Sequence, residues 1–206
     1  MPAYQKQATI ATMIQRKKTI TVKVGSVNLG SEAPVALQSM TKVATTDIDL
    51  CVEQANQLIH AGCDLVRIAI PTKKDAVAFA KIVPEVKAPV IADIHFSRQR
   101  AIDAIEAGAA KIRLNPGNIK DPGDVDAVID AAASAAVAIR IGVNEASIRD
   151  LKSADVPPEK RCDWMLEKMR EYVRIFEKKN FDQLVLSAKS ADPLRTIEIN
   201  RLLAEN

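Results

Sequence analysis

Aromatic residues make up only 3% of the 206 positions. That scarcity removes the stacking platforms on which single-stranded nucleic acids are held. Net charge is +3, too small for a surface that tracks a phosphate backbone. Cysteine is sparse as well. Cys51, Cys63 and Cys162 form no CxxC, and no cluster of Cys and His has metal-ligand spacing. They fall in or beside expected helices, so buried thiols are the expectation, and an odd count without a signal peptide suits a reducing cytoplasm. No apolar run is long enough to span a membrane. Neither GxGxxG nor GxxxxGK[ST] occurs, which removes the common glycine-rich phosphate loops.

Residues 1–18 contain no acid and no apolar signal core, and are expected to be a flexible N-terminus. A bacterial cytoplasmic protein fits this segment, with a plastid transit peptide as the alternative. Residues 19–30 alternate around Gly25-Ser26 and read as a β-hairpin that could cover one end of a barrel. A strand–helix rhythm follows. Strands are expected at 35–40, 65–70, 90–95, 111–114, 138–143 and 184–187. Helices are expected at 47–61 (capped by Thr46), 72–83, 97–107, 122–135, 159–179 and 193–204, with a longer loop over 145–158. Strict alternation implies a parallel sheet with helices outside it. The predicted fold is a (β/α)8 TIM-barrel type, incomplete here at about six βα units, since a full barrel typically takes about 250 residues.

What the sequence does contain is a cation or amide in each of five strand segments. Arg67 ends DLVR, and His95 ends PVIADIH. Lys111, Arg113 and Asn115 alternate in KIRLNPGN, Arg140 and Asn144 in IRIGVN, and Lys189 follows Ser187 in LVLSAKS. Residues two apart on a strand face the same way. Ligands of parallel α/β proteins bind outside the carboxyl ends of the strands. Converging positive groups there call for an anion, and phosphate suits arginine forks best. Each residue also has a structural reading. Arg67 could pair with Asp64 or Asp93, His95 could be satisfied at a barrel rim, and N-P-G-N is an ordinary tight turn. His60, in the last turn of a helix, complements the helix dipole and carries no assigned role.

Taken together, ALQSMT (36–41), VRIAIP (66–71), ADIHF (92–96), KIRLNPGN (111–118), IRIGVN (139–144) and LSAKS (186–190) resemble the N-terminal TIM-barrel domain of the 4-hydroxy-3-methylbut-2-enyl diphosphate synthase family. The resemblance implies reductive ring opening of 2-C-methyl-D-erythritol 2,4-cyclodiphosphate in the methylerythritol phosphate route to isoprenoids. It implies two electrons from flavodoxin or ferredoxin, a [4Fe-4S] cluster on three cysteines and a glutamate of a C-terminal domain absent from this sequence, and a homodimer when complete. By the same resemblance Arg67, His95, Arg113, Arg140, Asn144 and Lys189 bind the substrate diphosphate; the placement of Lys111, Asn115 and Ser187 on the same strands adds them as supporting residues. No catalytic residue and no metal ligand is carried over to this sequence. Glu145 and Ala146 depart from the family's pattern, and a carboxylate at 145 would oppose an anion unless it points away. Two other readings are a non-catalytic phosphate-binding partial barrel and a pterin-type synthase, the latter opposed by KIRLNPGN and IRIGVN.

Overall fold

A computed structural model describes residues 16–94, 97–115, 121–148 and 156–205. His95, residues 116–118 of the N-P-G-N turn and most of the N-terminal segment lie outside them. The hairpin is β1 (Val22–Val24) and β2 (Val27–Leu29), paired antiparallel. Gly25 turns it at φ +59°, and a Cβ there would lie 2.9 Å from Pro89 Cβ, so both backbone and packing require glycine.

Six strands follow in one parallel sheet whose spatial order is the sequence order: β3 (Gln38–Met40), β4 (Leu65–Ala69), β5 (Val90–Asp93), β6 (Lys111–Leu114), β7 (Ala138–Asn144) and β8 (Leu184–Lys189). Each is followed by a helix: α1 (Ile48–His60), α2 (Lys73–Ile82), α3 (Arg98–Glu106), α4 (Pro122–Ser134), α5 (Arg161–Glu177) and α6 (Pro193–Glu205). Sequential parallel strands joined by outer helices are the geometry of a TIM-type barrel, here a curled six-stranded partial barrel with β3 and β8 at its edges.

Most elements lie within two residues of expectation, and the departures have local causes. The first barrel strand is shorter, because residues 35–37 lie before the start of β4, where Leu37 N–H donates to Asp64 Oδ2 at 2.7 Å. Asp47, not Thr46, precedes α1, and it makes no side-chain cap. Thr72 and Ser97 cap α2 and α3 as expected, the former in a reciprocal box with Asp75. The expected 145–158 loop begins with a 3₁₀ turn, Glu145–Ile148, and α5 is preceded by another, Pro158–Lys160. Both of the last two strands run on, to Asn144 and Lys189.

The alternating face of each strand decides the rest. Val66, Ile68, Ile112, Leu114, Ile139, Ile141 and Val143 are buried against the helices in the main core. Their neighbours therefore face the barrel interior. The bottom of that interior is apolar: Val22 and Val24 of the hairpin pack against Leu65, Ile91 and Ala138. The hairpin thus covers the N-terminal end of the barrel, as the sequence implied.

Candidate anion-binding site

Above that apolar floor the interior turns cationic. Arg67, Lys111, Arg113 and Arg140 all alternate with outer-core residues, so all four face inward. The pairing sets their spacing. Arg67 is level with Ile91 and Ile91 with Lys111, while Asp93 is level with Arg113 and Arg113 with Arg140. Asn144 is level with Lys189 at the far end of β7 and β8. Lys111 opens β6 rather than closing it, and Arg140 is the third of seven residues in β7. The cations therefore line the depth of the interior, not only its rim.

One carboxylate answers them. Asp93, 3% exposed at its side chain, accepts from Arg67 at 2.6 Å and lies 3.7 Å from Arg113. Asp93 is thus the partner of Arg67; Asp64 is used on the backbone of β3's approach. Among the described residues no carboxylate lies within ion-pair distance of Lys111, Arg140 or Lys189. Arg140 is instead braced by Ser187, whose Oγ accepts from it at 2.5 Å.

The strain of this charge density is visible in the titrating groups. Burial, and then Arg140 and Arg67, push Lys111 down to about 8. Burial also lowers Arg140, aided by Arg67 and Arg113 and opposed by Asp93. Lys189 is lowered by burial first and then by Arg140, Arg67 and Arg113. These groups sense one another across four strands, so they form one electrostatic site. Gly142, between Arg140 and Asn144, leaves room beside them: a Cβ there would be in ordinary contact with Ser187, 3.4 Å from its carbonyl oxygen. The 770 Å³ cavity elsewhere, between β8, α5 and α6, is lined by residues such as Val173, Phe181, Leu186 and Leu203 and holds none of these cations.

The rim is organised by Asn144. Its Oδ1 accepts from Ala146 N–H at 2.9 Å and Ser147 N–H at 3.1 Å, and its own N–H donates to Ser147 Oγ. This holds the 3₁₀ turn and leaves the amide NH₂ as the group available to a ligand. Ala146 is not among the described non-glycine residues with positive φ, so the turn does not demand glycine there. Glu145 points away from the cations. It accepts from Arg161 at 2.7 Å, from Arg195 at 2.6 Å and from Ser190. Those hydrogen bonds, Ser190 and Arg195 first, hold its carboxyl below the usual range.

The site thus gathers Arg67, Lys111, Arg113, Arg140, Asn144, Ser187 and Lys189, with Asn115 directly beyond β6. His95 lies outside the described residues. Asp93 was visible in the sequence only as one of two possible partners for Arg67. Arg161 and Arg195 carried no signal, because they reach Glu145 from helices remote in sequence.

The cysteines are placed as packing groups. Cys51 and Cys162 are buried, with Cys51 raised by burial and Cys162 pushed up to about 11 by burial and Glu198. Cys63 is half-buried rather than buried. Among the described residues no group of three His, Cys, Asp or Glu side chains could hold a metal ion, and no helix is long and apolar enough to cross a membrane.

Comparison with known proteins gives this arrangement its context. The 4-hydroxy-3-methylbut-2-en-1-yl diphosphate synthase (flavodoxin) of Malacoplasma penetrans is 44% identical over 185 residues, 89% of this chain and 50% of that protein. The protein of the same name from Caulobacter vibrioides is 41% identical over 94% of this chain and 50% of its own length. The chain therefore spans about half the length of these curated relatives. Among solved structures, a Yersinia pestis dihydropteroate synthase superposes with a TM-score of 0.63 at 12% identity, over 90% of this chain and 70% of that one. That likeness shows the barrel fold alone. The family model described as the GcpE TIM-barrel domain matches residues 19–206, and the chain belongs to that family.

Proposed function

We propose that this chain supplies most of the substrate-binding barrel of a 4-hydroxy-3-methylbut-2-enyl diphosphate synthase. The reaction is the reductive ring opening of 2-C-methyl-D-erythritol 2,4-cyclodiphosphate to 4-hydroxy-3-methylbut-2-enyl diphosphate. One observation carries the reading: four inward-facing cations, Arg67, Lys111, Arg113 and Arg140, with Lys189 at the rim, face one carboxylate among the described residues, Asp93, in a barrel of this family. A cyclic diphosphate concentrates negative charge on two adjacent phosphates and would neutralise that excess. Arg113 and Arg140 are neighbours across β6 and β7, so their forks can take oxygens of one phosphate or of both. Arg67, fixed by Asp93, and Lys111 close the pocket from below, while Asn144 and Lys189 hold the ligand at the rim. His95 completes the set by resemblance.

As the ring C–O bond breaks, charge develops on the departing diphosphate oxygen. Preorganised guanidinium groups in a water-poor interior stabilise that charge without reorganising. The chain's part is to bind, orient and neutralise. Its cysteines do not fit a cluster, so no electron-transfer step is assigned to its residues. In this reading the two electrons come from flavodoxin or ferredoxin through a [4Fe-4S] cluster on a C-terminal domain outside this sequence. The complete protein is a homodimer of the bacterial cytoplasm, with no nucleic-acid or membrane partner.

The test is turnover by the complete protein. Reduced flavodoxin and the cyclodiphosphate should give the linear diphosphate by phosphorus NMR, and Arg140→Ala should slow it. A folded, cluster-loaded complete protein that leaves the cyclodiphosphate intact would overturn the assignment.

A further inference from the structure

We infer that Glu145 is a positioning residue for the anion site, setting Asn144 and Lys189 without touching the ligand. The inference rests on the reading of the barrel interior as a diphosphate site.

Glu145 stands directly after β7, and Ser190 directly after β8. The residues before them, Asn144 and Lys189, are paired in the sheet. Beyond that pair the ladder ends, and side chains take over. The Glu145 carboxylate accepts the Ser190 hydroxyl, joining the two loops just outside the two ligand-facing residues. It also accepts from Arg161 at the start of α5 and from Arg195 in the first turn of α6. One carboxylate thus ties both strand ends to the two helices that follow them.

The partners are themselves fixed. Arg161 Nε donates to the Val156 carbonyl at 3.0 Å. Ser190 N–H donates to Thr196 Oγ1 at 3.0 Å, and Thr196 Oγ1 donates back to the Ser190 carbonyl. Ser190 Oγ also accepts from Asp192 N–H at 2.9 Å. The Glu145 side chain is 20% exposed and those of Arg161 and Arg195 are 23% and 16%, so the network is partly shielded from water. On the other side, Asn144 Oδ1 holds the turn that carries Glu145. Asn144 therefore braces the turn from within, and Glu145 anchors its start to the two helices.

The same network explains why a carboxylate one residue from the site is compatible with an anion. Its charge is spent on Arg161 and Arg195, neither of which is among the charges that influence Lys189.

The test uses the full chain and binding of inorganic pyrophosphate and of the cyclodiphosphate, by calorimetry. Glu145→Gln should weaken both by roughly tenfold, the loss expected when a charge-assisted hydrogen-bond hub becomes neutral. Glu145→Asp should recover part of it. The decisive comparison is the cycle with Asn144→Ala. If Glu145 acts through Asn144 and Lys189, adding Glu145→Gln to Asn144→Ala costs clearly less than Glu145→Gln costs alone; independent structural damage would add in full. Full additivity, or unchanged affinity in Glu145→Gln, overturns the inference. Hydrogen exchange provides a readout that needs no ligand. Glu145→Gln should speed exchange at 144–148 and 189–192 while leaving β4 to β6 unchanged, and unchanged loops would also overturn the inference. Should the wild type bind neither anion, the diphosphate reading fails, and exchange still decides whether Glu145 pins the loops.

Discussion

Arg67 donates to Asp93 at 2.6 Å, and Asp93 is the one carboxylate that the described interior sets against its cations. That pair makes the cation cluster compatible with a folded chain before any ligand arrives. Burying like charges together is costly, and a shared counter-ion offsets part of that cost. The remainder is what an anion can relieve.

Removing that counter-ion should therefore hurt the free protein more than the bound one. Asp93→Asn is expected to lower stability by about 3 kcal/mol, as for one partner of a buried pair. Pyrophosphate should recover more stability in the variant than in the wild type. Urea unfolding with and without pyrophosphate measures both effects.

Lys111 should leave a pH signature. Its folded value is about 8, below its ordinary 10.5, so between those values the unfolded chain binds more protons than the folded one. Stability contributed by this group therefore rises with pH from about 8 to about 10.5, and its burial cost is fully present below about 8. Lys111→Met should stabilise the unliganded protein at neutral pH by about 2 kcal/mol and remove that rise. It should also weaken anion binding. An anion restores Lys111's charge, so wild-type binding near pH 8 should take up a proton, seen as a heat that depends on buffer ionisation.

Arg140 should matter more than the hydroxyl that braces it. Arg140→Ala is expected to cost about 2–3 kcal/mol of diphosphate affinity, and Ser187→Ala about 1 kcal/mol or less. Both losses should shrink at high salt, because the lost attraction is partly screened. Calorimetric titrations at two ionic strengths separate the two.

The thiols should behave as packing groups. Cys51 and Cys162 are buried with raised pKa, so native alkylation should spare them until the chain is unfolded. Anaerobic treatment of this chain with iron and sulfide should leave no bound cluster. Mass spectrometry of alkylated protein and iron analysis check these outcomes.

Much of this was legible in the sequence because parallel strands repeat a simple rule. Apolar residues such as Ile112 and Leu114 go outward to helices, so Lys111 and Arg113 had to face inward together. The hairpin was equally local, its turn falling at Gly25 with positive φ. What escaped was long-range. The sequence offered Arg67 two carboxylates, and only the strand register chose Asp93. Glu145 looked like a liability because its partners, Arg161 and Arg195, lie 16 and 50 residues away. The shortened first strand likewise depends on where its neighbour begins, which no local pattern encodes.

The most direct test of the central claim is a calorimetric titration of 2-C-methyl-D-erythritol 2,4-cyclodiphosphate into this chain and its Arg113→Ala variant. The account predicts one site in the wild type and an affinity loss of roughly tenfold or more in the variant, the value of one charged hydrogen-bonding partner. Equal affinity in the two proteins, or no binding to the folded wild type, would contradict it.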